Sequence, residues 1–164
     1  MNLSVENIVT FVGTDGYGLN ADLLLDGKKI AFVIDNADGG EYHYDVLDKE
    51  KFQKVVAYAK TLKYQSEYFQ GEEMTMDIDG LVCDICVKIE KEKTHKKMLK
   101  KTVNGFMFLS SDGKSYNGFS YKQSLKNLIA MYGVEKIQAG LDDARKKLPK
   151  HTLINENLAE LGLK

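Results

Sequence analysis

Two cysteines, Cys83-Asp-Ile-Cys86, are the first residues in this 164-residue chain whose types and spacing suggest chemistry. On a helix their sulfurs share a face and could grip one metal ion; on a strand the odd separation sends them to opposite faces. Zinc needs four ligands, or three and a water. The three histidines, His43, His95 and His151, stand at no recognisable ligand spacing from the pair. A thioredoxin-like dithiol needs its first cysteine at a helix start after a strand, with a cis-proline near it. Here Leu81-Val82 precede Cys83, and Pro149 is far away in sequence. The expectation is two small buried hydrophobes in an apolar stripe.

Other constellations reduce to turns. Gly13-x-x-Gly16-x-Gly18 lies between two strand-like runs and lacks the helix N-terminus that lets such loops hold phosphate. Asp35, Asp38 and Glu41, and again Asp77 and Asp79, miss the calcium-loop pattern and read as turn residues. His43 alternates with Tyr42 and Tyr44 and is expected on a strand's outer face. No G-x-S-x-G or other nucleophile signature occurs. No catalytic, cofactor-binding or metal residue is assigned, and the chain is read as a non-enzyme.

The richest feature is electrostatic. Residues 88–101 hold seven lysines and two glutamates, a balance of +5. Lys88, Lys91, Lys93, Lys96, Lys97, Lys100 and Lys101 lie in one segment, with Tyr116, Phe119 and Tyr121 on the run that follows. Lysines beside aromatic rings supply phosphate attraction and base stacking, the two ingredients of single-stranded nucleic-acid binding. The competing reading is a solvated helix end, with the rings in the core. A third is contact with the acidic half of the chain or with a second copy, so a homo-oligomer stays open.

The whole-chain charge of −1 conceals this. Residues 1–82 carry 15 acidic and 7 basic side chains, and residues 83–164 carry 9 and 16. Of the 23 basic residues only Arg145 is arginine. Arginine provides the planar fork for bidentate base contacts, so broad electrostatic contact is favoured over specific groove reading. A hydrophobic content of 43% supports a packed core. No apolar run is long enough to span a membrane, and the N-terminus does not resemble a signal peptide. Two cysteines build no disulfide framework, which points to a reducing cytoplasm.

These side chains are positioned by an α+β chain. An N-terminal antiparallel meander is predicted from Val5–Val12, Leu19–Leu25, Ile30–Asp35 and Glu41–Val46, with Asp26-Gly27 as a hairpin turn. Asp48 caps a helix over residues 49–62 with an apolar stripe of Phe52, Val55, Val56, Ala59 and Leu62. Tyr64, Tyr68 and Phe69 are expected to pack back onto the sheet or the helix. Residues 74–101 read either as a hairpin about Asp79-Gly80 or as a helix. The helix is preferred, because acids stand at its start and lysines at its end, as the macrodipole favours.

A β-hairpin of Phe106–Leu109 and Ser115–Tyr121 follows. Ser120 and Gln123 are read as a capping box for a helix carrying Leu125, Leu128, Ile129 and Tyr132. A further helix over Val134–Leu148 buries Val134, Ile137, Leu141, Ala144 and Leu148. A short strand at Leu153–Asn155 and a helical turn at Asn157–Leu161 close the chain. One α+β domain over 1–164 is expected, subdivisible into a strand-rich acidic part (1–72) and a helix-rich basic part (73–164).

Leu23-Leu-Leu-Asp-Gly-Lys-Lys-Ile-Ala-Phe-Val-Ile-Asp35, then Ala37-Asp-Gly-Gly40 and Tyr42-His-Tyr44, resemble a recurring type of small phage-encoded accessory protein. So does the later order of Lys100-Lys-Thr102, the hairpin and Leu153-Ile-Asn-Glu-Asn-Leu158. The resemblance implies a binding protein of the host cytoplasm that meets a host or defence protein or a nucleic acid. It supplies no catalytic residues.

Overall fold

The structure, a computed structural model, describes residues 1–65 and 71–164. It is α+β. The chain divides into two compact units, Met1–Glu90 and Lys91–Lys164. The division falls inside one helix rather than at residue 72, where the composition changes.

The first unit is built on four antiparallel strands in the order β1 (Leu3–Gly13), β2 (Gly16–Leu25), β3 (Lys28–Asp35) and β4 (His43–Val46). Asp26 and Gly27 both have positive φ (50° and 76°), as a two-residue hairpin turn matched to the strand twist requires. Apolar residues at every second position of β2, Ala21, Leu23 and Leu25, face the core. α1 (Lys49–Ala59) begins as expected, with Asp48 accepting from the Lys51 amide at 3.1 Å, and it buries Phe52, Val55 and Ala59. Tyr64 lies on the short strand β5 (Lys63–Gln65), which pairs with β6 (Glu73–Thr75), and its ring is exposed instead of packed back. Tyr68 and Phe69 lie outside the described residues.

The ambiguous stretch is α2 (Ile78–Lys101). Asp77 Oδ1 accepts from the Gly80 amide at 2.7 Å, satisfying a first-turn donor and easing the cost of the glycine. Leu81, Val82 and Cys86 are buried at 3–4 spacing, and Ile78, Ile85 and Ile89 pack beside them. The strand half of the hairpin reading survives only as Glu73–Thr75, which pairs back to Lys63–Gln65.

In the second unit α2 ends in a 3-10 turn, Thr102–Asn104, and leads into β7 (Gly105–Leu109) and β8 (Tyr116–Ser120). α3 (Leu125–Tyr132) and α4 (Val134–Lys147) follow, and β9 (Thr152–Leu153) completes a sheet of order β8-β7-β9. Phe106 and Phe108 of β7 are buried among Leu125, Ile137, Leu141, Ala144 and Leu163. Two expectations fail here. Ser124, not Ser120, caps α3, accepting from the Asn127 amide at 3.2 Å, because Ser120 is still the last residue of β8. Tyr132 does not join the buried stripe. It is exposed at the helix end with the Lys136 ammonium 5.0 Å from its ring centroid. Gly133, at φ 84°, ends α3 and starts α4.

Candidate functional site

In the second unit the C-terminal part of α2 separates packing from charge by its period. His95 and Leu99 are half-buried and Thr102 is buried, whereas Lys91, Lys93, Lys96, Lys97, Lys100 and Lys101 are all exposed. At 100° per residue, Lys93, Lys96, Lys97, Lys100 and Lys101 fall within about 140° of arc, opposite the packed side. Among the described residues, no carboxylate lies within 4 Å of any of these amines. Lys88 is exposed as well but belongs to the first unit, where it lines a depression with Met1, Tyr58, Leu62 and Asp84.

The lysine helix is tied to the hairpin by a histidine. His95 Nδ1 lies 2.8 Å from the Tyr116 hydroxyl, with ring centroids 6.0 Å apart. Lys91, Glu92 and Lys96 surround this pair in an open, shallow depression. Tyr116 is therefore where a combined lysine and aromatic surface forms. Of the other two rings, Phe119 packs against the core and Tyr121 is exposed. Phe119 meets Phe108 edge-on, and Tyr121 meets Phe106 edge-on while its hydroxyl approaches Gly140 of α4. No pattern would have picked out His95, since its partner is 21 residues away.

The end of α2 is fixed by a buried amide. Asn155 Oδ1 accepts from the Met107 amide at 2.9 Å, and its Nδ2 donates to the Gly105 and Thr102 carbonyls at 2.8 and 3.4 Å. It holds the segment just after β9 against the junction of α2 and β7.

The first unit holds the remaining candidates. Cys86 is buried as expected, but Cys83 is exposed. Among the described residues there is no group of three or more His, Cys, Asp or Glu that could hold a metal ion. Asp35 and Asp38 each accept from the amide two residues on, at 2.9 and 3.1 Å, as turn residues do. Asp79 is different: it accepts from the Tyr42 amide at 2.9 Å and from the Tyr44 hydroxyl at 2.7 Å, joining β4 to the start of α2. Burial, reinforced by that carboxylate, pushes the Tyr44 phenol far above its ordinary value; burial and the neighbouring Cys83 do the same to Tyr42. His43 is exposed, 3.4 Å from the Asp45 carboxylate.

Among the described residues, no helix is long and apolar enough to cross a membrane. Comparison with protein-family models, with curated proteins and with solved structures returned no match.

Proposed function

We propose that the protein is a non-enzymatic binding protein whose contact surface is the lysine face of α2, and that its partner is an acidic protein. The carrying observation is the exposed set Lys91, Lys93, Lys96, Lys97, Lys100 and Lys101, unpaired with any described carboxylate. These amines sit on a unit with 15 basic and 7 acidic side chains, a balance of +8. Such a field attracts acidic partners and raises their association rate. The resemblance to phage-encoded accessory proteins agrees with a host or defence protein as the target, met in the host cytoplasm.

A second reading, a single-stranded nucleic acid, is favoured by Tyr116 at the rim between Lys91 and Lys96. It is the weaker one, because Phe119 packs against the core and the surface has no arginine fork. Binding of the full-length chain to a polyglutamate peptide and to an oligothymidine strand of equal charge separates the two. The protein reading expects tighter binding to polyglutamate, lost on changing Lys96, Lys97, Lys100 and Lys101 to Glu. Tighter binding to oligothymidine, weakened by Tyr116→Ala, would replace it with the nucleic-acid reading. No salt-sensitive binding to either probe would sink both.

A further inference from the structure

The four-stranded sheet of the first unit has two edges, and among the described residues nothing pairs with the outer edge of β1. β4 is four residues long and carries His43 and Asp45 outward, so it offers little to a pairing strand. β1 is eleven residues long, and from Ile8 to Gly13 it has neither a charge nor a proline. Uncharged, β-branched and aromatic segments of this kind pair readily when left at an edge. Val9 and Val12 of this stretch are 61% and 74% exposed, far more than such residues need be on a strand.

The register shows which backbone groups are free. Gly13 faces Gly16 across a two-residue turn, and the pairing continues unbroken through Phe11↔Gly18 and Val9↔Asn20. Positions flanking such a turn exchange hydrogen bonds, and bonded and non-bonded pairs then alternate. Asp26 donating to the Asn2 carbonyl at 2.8 Å fixes the same alternation at the far end. Val9, Phe11 and Gly13 thus spend their N–H and C=O groups on β2, while Thr10 and Val12 turn theirs to the open edge. A bulge between Glu6 and Val9, with Asn7 at φ 52° and its amide donating to Asp22 at 2.8 Å, bends the strand and closes this free segment at Ile8.

We propose that this edge pairs antiparallel with the same edge of a second copy of the chain, about a two-fold axis at Thr10. Thr10 meets Thr10 of the second copy, and its outward N–H and C=O bond reciprocally. Ile8 meets Val12 on the face that carries Thr10, and Val9 meets Phe11 on the opposite face, so every contact is a favoured β-branched, aromatic or threonine pair. The Ile8–Val12 and Val9–Phe11 pairs each occur twice and the Thr10 pair once, on the axis, as a self-complementary two-fold interface demands. Backbone pairing selects this register. No charge lies in the paired segment, and a slip of one residue would set Thr10 against Phe11, whose backbone groups face β2, and send the side chains to the wrong faces. The contact lies on the first unit and does not depend on the lysine face.

Sedimentation of the full-length chain over a concentration series tests this pairing with two variants of an exposed residue, Thr10→Lys and Thr10→Glu. The wild type is expected to shift to twice the 18.5 kDa of one chain as concentration rises. Either variant alone places like charges opposite each other and should stay at one chain's mass, with unchanged circular dichroism. An equimolar mixture of the two restores the pair as Lys against Glu and should recover the doubled mass. A wild type that remains single up to about 1 mM would overturn the proposal. So would a dimer that persists in both variants, or a mixture that fails to reassociate.

Discussion

Met1–Glu90 closes its sheet over a mainly aliphatic core drawn from β1, β2, β3, α1 and α2, with Val5, Leu23, Ile30, Val33 and Val55 buried. Lys91–Lys164 closes a smaller sheet around two phenylalanines and adds the two buried polar residues among those described, Thr102 and Asn155. The contrast follows from size and connection. The first unit has a long meander whose alternation supplies an apolar face directly. The second has 74 residues, less apolar area to bury, and a helix end, a strand start and a C-terminal strand converging at one point. Converging backbone groups must be paired, and Asn155 pairs three of them. Charge divides the same way, with 17 acidic and 8 basic side chains in the first unit against 7 and 15 in the second.

Two substitutions set the units against each other at the largest expected effect. Asn155→Leu leaves the Met107 amide and the Gly105 carbonyl buried without partners, and should cost about 3–5 kcal/mol in denaturant unfolding. Leu23→Ala opens a cavity in a fully buried site of the first unit, at about 3 kcal/mol. If the loss at Asn155 were near that of an exposed asparagine, the second unit would not depend on its amide.

The charge contrast is sharpened by changing Lys96, Lys97, Lys100 and Lys101 together to Glu, which takes the balance of the second unit from +8 to zero. Binding to an acidic polypeptide should fall roughly a hundredfold, mostly in the association rate. The helix should remain, since the four side chains are exposed. Unchanged binding, measured by surface plasmon resonance at low salt, would remove the lysine face from the contact.

Period and punctuation made the fold legible. Alternation in Leu19–Leu25 and Ile30–Asp35, the Asp26-Gly27 turn, the Asp48 cap and the 3–4 spacing of α1 and α4 are local signals, and the chain obeys them. The helix over 78–101 could be chosen over a hairpin because charge order agreed with the helix dipole. Long-range pairings were not legible. His95 with Tyr116, Asn155 with Met107 and Asp79 with Tyr44 are separated by 21, 48 and 35 residues, and nothing in any one segment announces the other. The lysine cluster was visible as a run. That Lys88 falls in a different unit, and that Phe119 packs against the core, depended on how the chain packs.

A third test uses pH on the first unit. The Tyr44 phenol is held far above its ordinary value of 10.0, first by burial and then by donating to Asp79. A raised folded value means that the stabilisation is fully present below pH 10 and fades as the pH climbs beyond it. Tyr44→Phe should cost about 1 kcal/mol at pH 8, and the gap from wild type should narrow by pH 11 in thermal melts. A gap constant across that range would mean that the phenol's proton contributes nothing to the fold.

The smallest effect separates two serines in the second unit. Ser120-Tyr-Lys-Gln123 has the spacing of a capping box, yet Ser120 ends β8 and pairs across to Gly105. Ser124, one residue before α3, accepts from the Asn127 amide and satisfies a donor that the helix cannot. A serine four residues too early cannot do this, because its backbone is committed to a strand and its hydroxyl lies outside the first turn. Ser124→Ala should therefore lower stability by about 1 kcal/mol, and Ser120→Ala, at an exposed strand end, by less than about 0.5 kcal/mol. The order matters more than the size. If Ser120→Ala were the costlier change, α3 would begin a turn earlier than Leu125, and the capping box would be the true start of the helix.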